Sequence, residues 1–115
     1  MQRVVRAFPV LPGKEAAVRK FAAELSSRAT EASATHQKFG VSHESWYLQQ
    51  APSGLVVIVV TEVTGKPVSA AASEFAAANA PFDAWFKQQV LDASGIDPAK
   101  EPLGPPTTCI YDWSQ

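Results

Sequence analysis

Cysteine is almost missing from this chain of 115 residues: Cys109 stands alone. No disulfide can close within it, a usage that fits a reducing compartment. An excess of positive charge is missing too. Ten Lys and Arg meet eleven Asp and Glu, for a net charge of -1. Such a chain has no electrostatic footprint for phosphates, so no nucleic-acid partner is expected. Long apolar runs are also lacking. The longest, Leu55 to Val60, is far short of the ~20 residues that span a bilayer. Met1 to Arg6 lacks the apolar stretch of a signal peptide. A cytoplasmic protein with no membrane partner is the expectation. Histidine is scarce as well. His36 and His43, with Cys109 far away in sequence, give no ligand spacing, so no metal site is expected. There is no phosphate-cradling glycine loop and no Gly-x-Ser-x-Gly elbow, and no cofactor is expected.

What is present suffices for one domain, residues 1-115. Hydrophobic residues make up 46% of the chain, and at this length folding buries about two thirds of the unfolded surface. Residues 3 to 8 read as a first strand that Pro9 should end. From Lys14 the apolar period changes to that of a helix. Val18, Phe21, Ala22, Leu25, Ala29 and Ala32 share one stripe, which predicts a helix to about Gln37. Gly40 suits a left-handed position past its end, and His36 reads as a cation at the helix terminus, in water. Residues 41 to 63 form a hairpin turning at Ala51-Pro52-Ser53-Gly54. Asn79-Ala80-Pro81 breaks a second helix into 67 to 78 and a segment from Pro81 to about Gly95. Residues 97 to 106 hold four of the nine prolines and read as a rigid linker. Thr107 to Trp113 reads as a last strand that buries Cys109 and leaves its thiol inert.

The order β-α-β-β-α-β defines the expected fold class. It is α+β, ferredoxin-like, with an antiparallel four-stranded sheet and a broken second helix. The first and third strands are expected as central neighbours, parallel through the helical crossovers. The hairpin strand 41 to 50 and the last strand then form the polar edges. Both helices cover one face. Yet the third strand is apolar on both, since Leu55, Val57 and Val59 alternate with Val56, Ile58 and Val60. Leaving three such side chains wet forgoes ~5 kcal/mol at ~1.5-3 kcal/mol each, comparable to the stability of a small domain. A second copy is the expected cover, in a sheet-against-sheet homodimer.

Arg6 is the most informative polar residue. It sits mid-strand between Val5 and Ala7 and must reach water, a partner or a ligand. Asp112 or Glu44 could pair with it across strands, the plain structural reading. The functional reading is a cationic anchor in a ligand cavity. His43, at the start of an edge strand, could act as a general base, although an exposed polar edge residue needs no function. Phe82, Trp85 and Phe86 at helical spacing read as core. The break at Pro81 would also let them act as a flap, facing Trp46 across a pocket.

Several of these segments resemble the dimeric α+β barrel superfamily, which includes antibiotic-biosynthesis-type monooxygenases and stress-responsive barrel proteins. Leu11-Pro12-Gly13-Lys14-Glu15 resembles the turn that opens the first helix there. Ser45-Trp46-Tyr47-Leu48-Gln49-Gln50 and Ala80-Pro81-Phe82-Asp83-Ala84-Trp85-Phe86 look closest to one uncharacterised bacterial family within it. The resemblance implies a homodimer with a small apolar cavity between sheet and helices, binding a small hydrophobic or aromatic ligand. It also implies monooxygenase-like chemistry without a cofactor. Arg6 would then hold an anionic group and His43 or Glu44 would move a proton. Trp46, Phe82, Trp85 and Asp112 would complete the ligand site. The alternative is a dimer that binds ligand without catalysis, or is purely structural.

Overall fold

A computed structural model describes residues 1-115. The elements are β1 (Gln2–Pro9), α1 (Glu15–Ser27), α2 (Ala29–Lys38), β2 (Val41–Ala51), β3 (Gly54–Val63), α3 (Val68–Ala77) and α4 (Pro81–Ser94). The fold is α+β: one three-stranded antiparallel sheet in the order β1-β3-β2, with four helices. No helix is long and apolar enough to cross a membrane.

The hairpin and the second helical break form where the turn residues place them. Pro52 and Ser53 link β2 to β3. Pro81 opens α4, and Gly95 closes it in the left-handed region at φ 76°. The first helix departs from expectation. It divides at Arg28 (φ -99°, ψ 42°) into α1 and α2. The Ser26 and Ser27 hydroxyls donate to the carbonyls of Ala22 and Glu24, and such back-bonding competes with the helical ladder. The break swings the Arg28 guanidinium over the rings of Phe82 and Trp85, 4.8 and 4.4 Å from their centroids.

The sheet corrects three expectations. β1 and β3 are neighbours but run antiparallel. The α1-α2 crossover makes β1 and β2 parallel, and the tight hairpin reverses β3 against β2, so β3 opposes β1 as well. Secondly, Thr107 to Trp113 forms no strand. Only an antiparallel bridge, Arg6 to Pro106, touches the β1 edge, and the Thr107 hydroxyl donates to the Val5 carbonyl. β1 is therefore an edge strand, and Cys109 is exposed rather than buried. Thirdly, residues 97 to 106 are not a spacer. Pro98 is buried, and Pro98, Pro102 and Leu103 wall a cavity under the sheet.

Strand alternation sorts the side chains onto two faces. Val4, Arg6 and Phe8 of β1, Val57, Val59 and Thr61 of β3, and Glu44 and Trp46 of β2 share the face toward the helices. All four helices contribute side chains to the cavity on that face, so none is left for the other. The second face carries Val56, Ile58 and Val60, flanked by Val5 and Ala7 of β1 and by Ser45 and Tyr47 of β2. Tyr47 there is 58% exposed.

Gly104 fastens the 97-106 strap to the sheet. Its φ is +77°, and a Cβ at this position would run into the Phe8 ring. Gly13 has a similar φ, +79°, but open space around its Cβ position. Gly13→Ala is expected to cost ~1-2 kcal/mol, the penalty of the left-handed region alone. Gly104→Ala adds an overpacking penalty of ~1-3 kcal/mol. Urea unfolding of the two variants side by side measures that difference.

Candidate functional site

The space between sheet and helices is a cavity of about 180 Å³, lined mostly by hydrophobic side chains and partly open to solvent. One wall is an aromatic cluster. The Phe21 ring lies 5.1 Å from Trp46 and 5.1 Å from Phe86 in that wall, and 5.3 Å from Trp85 behind it. Trp46 and Trp85 thus stand on the same side of the sheet, with Phe21 between them. Val57 and Val59 of β3 form the floor, and Val90 and Ala93 of α4 face it.

Few polar groups interrupt this lining, and their positions follow from strand register. Arg6, Val59 and Trp46 form one cross-strand row, and Val4, Thr61 and Glu44 the next. Two strand spacings separate β1 from β2, so Arg6 and Glu44 approach the cavity from sides ~10 Å apart. The two residues do not pair. Glu44 is satisfied by neighbours: the Trp46 indole donates to Oε2 at 2.9 Å, the Thr61 hydroxyl donates to Oε1 at 2.9 Å, and His36 Nε2 lies 3.4 Å from Oε2. Burial pushes the Glu44 carboxyl upward, but the contacts from His36, Trp46 and Thr61 outweigh it and hold the group below its ordinary value. His36 moves the other way. Its hydrogen bond to Glu44 raises it, against burial, with help from the carboxylate charge and the Ala32 carbonyl.

Arg6 differs. None of the ion pairs includes it, and its buried Nε has no hydrogen-bond partner. A guanidinium with a dry, unmatched donor in an apolar chamber is costly unless something accepts from it.

The structure brings together Arg6, Glu44 and Trp46 of the expected site. Four others lie outside the lining of this cavity. His43 lies on the opposite face of β2, exposed, with Nε2 2.9 Å from the Ser45 hydroxyl, because it is one residue out of phase with Glu44. Asp112 is exposed in the tail and pairs with nothing. Phe82 and Trp85 pack under Arg28 at the first turn of α4, and Phe86 lines the cavity in their place.

Two residues were missed. His36 is half-buried beside Glu44 rather than a solvated helix end. The signal was in the stripe, since four residues past Ala32 lies His36 and seven past it lies Phe39, both facing the cavity. The second is Asp83, only 1% exposed. Lys38 Nζ donates to its Oδ2 at 2.7 Å, and Oδ1 has no partner. This pair joins the end of α2 to the start of α4.

The chain belongs to DUF6176, a family of unknown function, whose model matches residues 1–103. No curated protein and no solved structure matches it.

The His36-Glu44 pair makes stability depend on pH from both sides. Glu44, lowered from 4.5, contributes stability that is present above that value and lost as pH falls through its folded pKa. His36, raised from 6.5, contributes stability that is present below that value and lost as pH rises through its folded pKa. The pair's contribution is expected to be complete between pH 4.5 and 6.5. Urea midpoints measured from pH 4 to 9 should decline on the alkaline side, and His36→Gln should flatten that decline.

Proposed function

We propose that this chain is a cytoplasmic small-molecule-binding protein of the dimeric α+β barrel type. Its cavity takes one aromatic ring carrying an anionic group. The observation that carries this reading is Arg6, which lines a mostly apolar chamber, belongs to no ion pair and has a buried Nε without an acceptor. A carboxylate or phenolate held there would accept from the guanidinium and remove the cost of its burial. Size supports the class. A 150 Å³ apolar cavity in another protein accepts benzene, so about 180 Å³ suits a single ring with a small substituent. Phe21, Trp46 and Phe86 offer it edges and faces.

Monooxygenase-like chemistry is the second reading, favoured by His36 and Glu44 opening onto the same cavity. Oxygenation without a cofactor begins with loss of a substrate proton. The imidazole can hold that proton while Glu44 stabilises the resulting cation. The β1-β3-β2 order with helices on one face agrees with the ferredoxin-like split β-α-β. A homodimer agrees with the uncovered face: only eleven of 115 residues are buried in the lone protomer, few for a domain whose third strand is apolar on both faces from Leu55 to Val60.

Titration calorimetry with benzoate and with neutral benzamide tests the reading. Benzoate is expected to bind, and Arg6→Met to weaken it about 10- to 100-fold, the value of a charged hydrogen bond. Benzamide should bind both proteins alike. Equal benzoate affinity in the two proteins, or no binding of either compound to the parent, overturns the proposal.

A further inference from the structure

The segment after Thr107 pairs with nothing in its own protomer, although its sequence alternates as that of a strand does. Thr108, Ile110 and Asp112 alternate with Cys109, Tyr111 and Trp113. Three of these side chains are large and apolar, and they stand in water: Ile110 is 93% exposed, Tyr111 80% and Trp113 69%. Residues 106 to 115 are all exposed.

The protomer's own sheet cannot take this segment whole. The single bridge sets Arg6 opposite Pro106. Continued antiparallel, that register places Val5, Val4, Arg3 and Gln2 opposite residues 107, 108, 109 and 110. There β1 ends, since it spans Gln2–Pro9. Tyr111 and Trp113, which carry most of the apolar surface, would hang beyond the sheet. The other free edge is longer. β2 runs Val41–Ala51, pairs only with β3, and is edged on its outer side by nothing.

We infer that residues 108-113 form a strand on the outer edge of β2 of a second copy of this chain. The inference rests on the proposed homodimer and adds how its copies are exchanged. Geometry favours this destination over the partner's β1. When two sheets pack face to face about a two-fold axis along the strands, β1 of each copy lies opposite β2 of the other. A segment leaving the β1 edge then meets the partner's β2 edge. Strand addition satisfies that edge's backbone groups and gives alternate side chains a surface on each side. This fits a segment with apolar residues on both faces. Sheet order becomes β1-β3-β2 plus the partner's segment, and both free β2 edges of the dimer are capped.

Cys109 is the only cysteine, which makes the contact testable by covalent trapping. Single cysteines are introduced along β2 as Ser45→Cys, Tyr47→Cys and Gln49→Cys, with Arg3→Cys as the β1 control. Mild oxidation with diamide is expected to yield a covalent dimer from at least one β2 variant, and none from the parent or from Arg3→Cys. Light scattering accompanies it. Removal of residues 108-115 should leave the protomer's circular dichroism intact, because those residues are exposed, and raise the dimer dissociation constant at least tenfold. An intrachain bridge in Arg3→Cys, or a truncated protein that dimerises as tightly as the parent, overturns the strand exchange and leaves the dimer standing. A monomeric full-length chain at micromolar concentration overturns both.

Discussion

Everything in this molecule is arranged around a strand that is apolar on two faces. β3 is central in the sheet, and neither its odd nor its even side chains are suited to water. The helices meet this demand on one face only. They do so at some distance, leaving a chamber instead of a filled layer. The other face and the apolar tail are both left uncovered in the protomer, and in the proposed homodimer a second copy of the chain would cover both. That common solution is why assembly and ligand binding belong in one account.

Within the chamber two charged groups meet opposite fates. Glu44 is surrounded by three donors from three elements: Trp46 beside it on β2, Thr61 on β3 and His36 on α2. Its charge is answered inside the fold, and it ties the helix layer to the sheet. Arg6 lies one row away, with no such answer. Buried charged groups are usually closed in this way, and the unmatched Arg6 donor is the feature on which the proposed ligand site rests.

The parts of this arrangement set by short-range rules were legible in the sequence. The period of two put Arg6, Glu44 and Trp46 on one face once strand positions were known, and the Pro81 and Gly95 signals bounded α4. The same period places His43 on the far side, so adjacency along the chain was a poor guide there. His36 was misread because a helix end was assumed to be wet. Its place on the Ala32 stripe says otherwise, but only the packing of α2 on β2 decides between them. Phe82 lies one turn before Phe86 and Trp85 one residue before it, yet only Phe86 lines the chamber, because Arg28 lies on the rings of the other two. The tail shows the limit most clearly. The alternation of Thr107 to Trp113 predicts a strand, but β1 ends at Gln2 and offers the segment only a short edge, so alternation alone did not decide its pairing.

The Lys38-Asp83 pair has a consequence for which walls of the chamber can move. Asp83 is sunk at the first turn of α4 and latched to the final residue of α2. Prying these helices apart would strand a carboxylate in a dry crevice, so His36 and Phe86, carried by the two, are held as one rigid jamb. The proline strap at 97-106 is held by neutral contacts instead: Gly104 lies against the Phe8 ring, the Ala7 amide donates to the Pro105 carbonyl, and the Thr107 hydroxyl donates to the Val5 carbonyl. Any rearrangement that parts α2 from α4 therefore carries the cost of that stranded carboxylate, whereas lifting the strap breaks only its few contacts with β1.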